Sequence, residues 1–477
     1  MGLTTNMKSV IKFWTVAGLV LILLFVLTRL CDQYAANGDG YLGALNINIL
    51  FQYLAFFWAT LTLLSLGLAS GRGWLTNLSL SLSSLLFFWF VAEILCFCLI
   101  QFKLVDASRP FHSRLLLNKD WKAGRRPFWG DFDRTIGRWR LPNDTLSNVI
   151  CNGNLIHIKT NQFGMRDRPR TLQNLSGRKR VVLLGDSFIE GYIVEAHQRY
   201  SDILESQTQS EHLNFGISSA SVISYYLTYK SMAQRFDHDV VLVSLLPAND
   251  FEDYNDGKKQ ELLRHPIYRP YWEGQFPNVT LRYSLSDLSQ SFVSLHGANK
   301  PIHTQQVVDS VYHSMPFADR MWAELSLNSY LYSCVLATAG KVSAHRRGTR
   351  NSFVVNNDQR QWDTFAYSLE QLAKAAQGKQ IIAYLVPIES DLQAFDKTHQ
   401  NDLKKYLDPI CRKYDIKIID FLPIFHALGK KQWQKLYLTC DGHFTPEGEQ
   451  FVASFLLKDS TYQRAVGIPS AHKIALK

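Results

Sequence analysis

No internal repeat, no low-complexity tract and no phosphate-loop or dinucleotide fingerprint occurs in these 477 residues. Repeat arrays and the common nucleotide-binding enzymes are thereby set aside. Cysteine is scarce. Seven in the whole chain exclude a disulfide-built scaffold, and no Cys/His spacing has the form of a zinc site. Charge is low too, at 19% Asp, Glu, Lys and Arg against about 25% in an average soluble domain. With 47% apolar residues, the chain is neither disordered nor collagen-like. No cofactor and no metal is expected. The length suits two or three folded units. A mean hydropathy of −0.09 averages two unlike parts, a membrane-like first hundred residues and a globular remainder.

What the first hundred residues have is long apolar runs. No charge interrupts the stretch between Lys12 and Arg29, and Val10 and Ile11 extend it to about the 20 residues a bilayer needs. Between Asp39 and Arg72 lie 32 uncharged residues, most apolar over Ile47–Leu68. A third run, Trp74 to Phe102, carries one acid, Glu93. Lys8 and Lys12 could open a signal peptide, but Tyr34-Ala35-Ala36 is a poor cleavage site and two further runs follow, so the first is read as a span. Glu93 reads as lying near the lipid interface, with a functional intramembrane acid as the competing role. Residues 1–102 are thus expected to form an anchor of three transmembrane helices.

Glutamate is missing from residues 101–180, which hold 17 Lys and Arg and 6 Asp. Residues 103–177 therefore read as a basic juxtamembrane collar and accessory segment. Under the positive-inside rule, a collar with Lys103, Arg109, Arg114 and Lys119 would be cytoplasmic. Against that, Lys8 and Lys12 precede the first span, Asp32 and Asp39 follow it, and Arg72 lies in the second loop. An odd number of spans then carries the large domain out, and long domains cross largely regardless of charge. The expectation is a multi-pass membrane protein whose C-terminal domain is extracytoplasmic, on the periplasmic side of a bacterial inner membrane. The collar suits membrane lipids or anionic glycan. Nucleic acid is not expected, because no nucleic-acid fold signature accompanies the charge.

From Arg178 onward, short apolar runs alternate with helical stretches, the pattern of a parallel sheet with helices on both faces. Strands are expected at Val181–Leu184, His212–Phe215, Val240–Leu246, Ile381–Val386 and Ile416–Asp420. A closing helix follows Thr445-Pro446, a cap and first-turn pair. Residues 178–477 thus form one domain with a long insertion at about 251–379. The insertion contains Tyr254, Tyr268, Tyr271, Trp272 and Phe276, then a helical region around Ser326–Ala339. It reads either as a substrate-binding cap or as a subdomain whose aromatics pack its own core.

In an open parallel sheet, ligands bind beyond the carboxyl ends of the strands. The first strand ends in Gly185-Asp186-Ser187-Phe188, where a Gly-bounded turn exposes Ser187 at a helix start. The second ends in Asn214-Phe215-Gly216-Ile217-Ser218-Ser219, and the third in Pro247-Ala248-Asn249-Asp250. Cys440-Asp441-Gly442-His443 precedes the last helix. A serine hydroxyl needs a base to take its proton, and the imidazole needs a carboxylate to hold its tautomer. Asp441 lies two before His443, so an extended segment would project both from one face. Oxyanion donors would be the Ser187 N–H, a backbone N–H after the second strand at Ser219, and the Asn249 amide. Taken singly, each of these residues could be structural: Asp186 and Asp250 as turn caps, Asn249 as a turn former.

These residues, over about Arg178 to Leu457, resemble the SGNH/GDSL hydrolases, esterases and acyltransferases with a flavodoxin-like three-layer α/β/α fold. Ser187 in Gly-Asp-Ser-Phe matches the family's nucleophile block, Asn249 its third block and His443 its last. Asn161-Gln162-Phe163-Gly164-Met165-Arg166-Asp167 is similar to a stretch that often precedes the domain in membrane-anchored members. Three positions depart from the pattern. Ser219 stands where the second block has Gly, Pro247 where the third has Gly, and Cys440 where the acid three before His is usual, leaving Asp441 to serve.

The resemblance implies a membrane-anchored serine esterase or O-acyltransferase acting on acyl esters of a cell-envelope glycan or lipid. A transferase with three spans would need a polytopic membrane acyltransferase as partner to supply the acyl group. The competing reading is a catalytically decayed, membrane-anchored glycan- or lipid-binding module. An α/β-hydrolase lipase is disfavoured, because no Gly-x-Ser-x-Gly elbow is present. Cys151, Cys334, Cys411 and Cys440 could pair outside the cytosol, with no connectivity readable from sequence.

Overall fold

A computed structural model of the chain describes residues 5–35, 41–42, 45–102, 104–105, 133, 135–251, 269–283, 312–313, 315–347, 351–355 and 358–468. They fall into two compact units. One comprises Met1–Phe128, Lys258–Pro266 and His303–Arg346, and the other Trp129–Gly257, Ile267–Ile302 and Arg347–Lys477.

The first unit is built on three helices long and apolar enough to cross a membrane: α1 (Thr5–Ala35), α2 (Ile47–Ala69) and α3 (Gly73–Gln101). They pack through small residues, as helices do where no hydrophobic effect drives them together. Gly18 lies against the Trp58 ring, and a side chain at Gly67 would collide with Ser79. Polar side chains bond across the helices: Trp58 Nε1 donates to the Trp14 carbonyl at 3.1 Å and Ser83 Oγ to the Thr60 carbonyl at 3.1 Å. Glu93 is fully enclosed by protein. The same unit contains α4 (Phe317–Leu327) and α5 (Tyr330–Arg347). The collar residues Lys103, Arg109, Arg114 and Lys119 lie outside the described residues, as do Tyr254 and Tyr268.

The second unit holds a five-stranded parallel sheet of β1 (Arg180–Leu184), β2 (Glu211–Asn214), β3 (Val240–Leu245), β4 (Gln380–Leu385) and β5 (Lys417–Asp420). The spatial order is β2-β1-β3-β4-β5, every neighbour parallel. β1 and β3 are buried at every position, which is why they read as unbroken apolar runs rather than alternating ones. The helices covering the sheet include Gln359–Ala375, whose buried Phe365, Leu369 and Leu372 form one stripe. Pro446–Lys458 begins as expected, with Thr445 accepting from the Gly448 N–H at 3.2 Å.

Residues 133–177, read from sequence as accessory to the collar, belong to this second unit. They wrap the sheet with buried ion pairs, Arg170 to Asp167 at 2.9 Å and to Glu205 at 2.7 Å. A hairpin of Thr145–Val149 and Leu155–Lys159 alternates exposed and buried side chains on its second strand. Trp272 and Phe276 of the insertion pack with this core. Trp272 is buried against Tyr226 and Tyr367, its Nε1 donating to Ser368 Oγ at 2.8 Å.

Candidate active site

Each carboxyl end of β1, β2 and β3 contributes a turn. After β1, Asp186 caps the short helix Ser187–Glu190 by accepting from the Phe188 N–H at 3.0 Å. Ser187 therefore sits at the first helical position, where its own N–H is one of the donors a helix cannot satisfy internally. After β2, residues 216–219 turn with Ser219 at φ +59°. Gly216 is required there, because a Cβ would come within 2.5 Å of the Glu190 nitrogen. After β3, Pro247 opens the helix Pro247–Asp250.

His443 lies on a tight turn rather than on the extended segment expected from its spacing. The Asp441 and Gly442 N–H groups both donate to the Leu438 carbonyl, at 3.0 and 2.7 Å, and Leu438 N–H donates to the His443 carbonyl at 2.8 Å. This turn, with Gly442 at φ +88°, points Asp441 and His443 at each other. The Asp441 carboxylate accepts from His443 Nδ1, which leaves Nε2 as the acceptor. Ser187 Oγ lies 2.6 Å from Nε2. The three expected residues are thus brought together, although Ser187 and His443 are 256 positions apart. The imidazole packs against Phe188 and Tyr192, with ring centroids at 5.0 and 5.6 Å. The bond from His443 holds the Asp441 carboxyl below its usual range, outweighing the effect of burial.

Neither Ser187 N–H nor Ser219 N–H has a protein acceptor among the described residues. Asn249 Nδ2 donates one hydrogen to Asp186 Oδ2 at 2.8 Å and keeps a second. Asp186 fixes that orientation, since a flipped amide would turn its oxygen toward a carboxylate. Burial pushes the Asp186 carboxyl up, against the Phe188 and Asn249 donors that favour its charged form.

Sequence reasoning missed the groups that hold the 216–219 turn. Glu190, almost wholly buried, pairs with Arg140 at 2.9 Å and accepts from the Ser218 N–H. Arg140 also donates to the Gly216 carbonyl, and Arg269 to the Ser219 carbonyl. Arg140 keeps Glu190 ionised below the usual carboxylate range in spite of burial. Burial and the nearby Arg269 lower the Arg138 guanidinium to about 10. A pair such as Arg140 and Glu190 is 50 positions apart, and no spacing rule signals it. Cys440 is bonded to Cys151 of the hairpin turn, whereas Cys334 and Cys411 are free thiols. A cavity of about 730 Å³ lies between the hairpin and the segment 195–206, with His157, Lys159, Arg168 and His197 on its walls and none of the serine, histidine or aspartate above. Among the described residues, no group of His, Cys, Asp and Glu could hold a metal ion.

A 2-1-3-4-5 parallel sheet, a serine in the turn after its first strand and a histidine on the loop before the last helix are now together. The sheet unit has the strand order of a flavodoxin-like, doubly wound α/β fold. No family model and no curated protein matches the sequence. Among solved structures, the chain is similar to a lipolytic protein of the G-D-S-L family from Veillonella parvula DSM 2008, at 14% identity and a TM-score of 0.29 over 59% of this chain and 98% of that one. It is also similar to an alpha/beta hydrolase enzyme from the metagenome of Lake Arreo, Spain, at 10% identity and a TM-score of 0.27 over 61% of this chain and 95% of that one.

Proposed function

We propose that the protein is a membrane-anchored serine esterase or O-acyltransferase that handles acyl esters of a cell-envelope glycan or lipid. The observation that carries this reading is His443, bonded to Asp441 on one side and to Ser187 on the other. In the proposed reaction His443 Nε2 takes the Ser187 proton as Oγ attacks the ester carbonyl. The negative charge gathers on the former carbonyl oxygen, within reach of the Ser187 and Ser219 N–H groups and the free Asn249 amide hydrogen. His443 then gives its proton to the leaving alkoxide, and an acyl group stays on Ser187. Water or a sugar hydroxyl, deprotonated by His443, takes that acyl group and frees the serine.

An intact set of acid, base, nucleophile and oxyanion donors supports this reading over a decayed binding module. The Cys151–Cys440 bond supports an oxidising, extracytoplasmic location for the sheet unit, in keeping with the charge of the loops. The reading is tested by incubating detergent-purified protein with an activated acetyl ester and mapping the acetylated peptide. Acetylation at Ser187, lost in Ser187→Ala and slowed at least a hundredfold in His443→Ala (roughly the scale of general-base catalysis), is expected. Acetylation spread over surface lysines and unchanged in both variants would refute it.

A further inference from the structure

α4 and α5 belong to the insertion between β3 and β4, yet they pack in the unit of the three spans. We infer that Phe317–Arg347 is a re-entrant helical hairpin, set among lipid acyl chains and locked there by Glu93. A turn placed inside a bilayer must satisfy its backbone polar groups from protein, because no water is present to do so. A carboxylate on a spanning helix has the matching problem. Each answers the other here. Glu93 lies eight residues before the end of α3, about 12 Å along the helix. It accepts from the Tyr330 N–H at 2.9 Å, the Leu331 N–H at 3.2 Å and the hydroxyl of Ser329, which precedes α5. Tyr53 Oη at 2.8 Å and Trp89 Nε1 at 3.1 Å, both from spans, complete its shell. Two further bonds brace the turn, in which Asn328 Oδ1 is buried without a partner among the described residues. Tyr332 N–H donates to Ser329 Oγ at 3.0 Å, and Asn328 Nδ2 caps the Glu324 carbonyl of α4 at 2.8 Å.

Packing and length agree. Tyr330 and Cys334 are buried with Ile49, Cys96 and Ile100, and the Phe97 and Tyr330 rings meet edge to face at 5.0 Å. The apolar part of α5, Tyr330–Ala339, is about 15 Å long, half of a bilayer core of about 30 Å. It can enter but not cross. Asp319 and Arg320 lie in the first turn of α4, toward the end away from Glu93, whereas Glu324 lies near the tip and its carboxylate accepts from Asn328 Nδ2 at 3.3 Å. Phe317, Met321 and Trp322 on α4, and Val335 and Leu336 on α5, are exposed by 40–71%. Apolar side chains bared on the same unit as three spanning helices fit lipid rather than water.

The test uses the full chain in phospholipid nanodiscs. Nitroxides are placed at positions 322 and 336 in a background with Cys31, Cys96, Cys98, Cys334 and Cys411 changed to alanine and the Cys151–Cys440 bond kept. Both labels should relax more with oxygen than with a water-soluble nickel chelate, as a label at Leu23 of α1 does. Nickel accessibility equal to that of a label at Leu175, an exposed residue of the sheet unit, would overturn the hairpin. A chain with all its cysteines gives a second readout: Trp322→Phe should reduce the quenching of tryptophan fluorescence by brominated lipid, and unchanged quenching counts against insertion. Glu93→Leu should speed hydrogen exchange at residues 330–332 at least tenfold, with Glu93→Gln in between. Equal exchange in all three would remove Glu93 from the account.

Discussion

Ser219, Pro247 and Cys440 are the positions where this chain departs from the pattern it resembles, and the structure gives each a physical reason. Ser219 adopts φ +59°, a conformation that glycine holds freely and that costs a side chain about 1–2 kcal/mol. Pro247 starts a helix, where its missing N–H is no loss. Cys440 is in a disulfide, so the acid moves one place along to Asp441. Ser219→Gly should therefore raise stability by about 1 kcal/mol or less and leave acylation of Ser187 within threefold, read by thermal melts and probe kinetics. Asn249→Ala should slow acylation by about 10²–10³, the scale of one lost oxyanion donor. Asp186→Asn should reproduce part of that loss in kcat with little change in KM, and should add little to it in the double variant. Full additivity would mean that Asp186 does not act through Asn249. The meeting of Ser187, Asp441 and His443 was legible because a serine after the first strand and an Asp-x-His before the last helix stand in the expected order. The roles of Glu190, Arg140 and Arg269 were not, since each depends on a partner far away in sequence.

At the scale of elements, all five strands of the sheet were legible, β1 and β3 most plainly, because strands buried on both faces are apolar runs. The hairpin of Thr145–Val149 and Leu155–Lys159 was not, as its short strands carry polar residues on the exposed side. It matters to the site nonetheless. Cys151 in its turn is tied to Cys440, next to Asp441, across 289 positions. A cross-link over so long a loop contributes on the order of 5 kcal/mol in the chain-entropy picture. Replacing both cysteines by serine should lower the melting temperature, speed hydrogen exchange over residues 438–444 and slow acylation of Ser187 by roughly ten- to a hundredfold. Unchanged acylation would show that the turn around Leu438 holds Asp441 without help. The α4–α5 pair shows the opposite limit. Its helicity was readable around Ser326–Ala339, but its partner, Glu93, lies more than 230 positions upstream.

For the whole molecule, buried titrating groups set how stability follows pH. Burial lifts the Glu449 carboxyl to about 8, although it accepts from the Tyr200 N–H at 2.9 Å. Between its ordinary value near 4.5 and about 8, the folded chain keeps a proton that the unfolded chain has released. Stability from this group is therefore full below pH 4.5 and declines as pH rises, by at most about 1.4 kcal/mol per pH unit. Burial lowers His212 to about 4, with the reverse sign: its contribution is full above about pH 6.5 and is lost as pH falls. The two slopes oppose each other between pH 4.5 and 6.5, and above that range the Glu449 decline is no longer opposed by His212. Asp167 and Asp186, also raised by burial, act in the same direction as Glu449. Melting temperatures of the detergent-solubilised protein should fall from pH 6.5 to 8, and Glu449→Gln, which still accepts from Tyr200, should flatten that fall. Composition changes near residue 100, whereas the two compact units divide between Phe128 and Trp129. The return of the insertion to the span unit was not legible, because only folding brings α5 to Glu93. An activated serine at position 187 is the central prediction, and covalent labelling by a fluorophosphonate probe, mapped by peptide, tests it most directly. Labelling at Ser187 that vanishes in His443→Ala is the predicted result. A folded protein whose Ser187 stays unlabelled, or labels equally without His443, would contradict it.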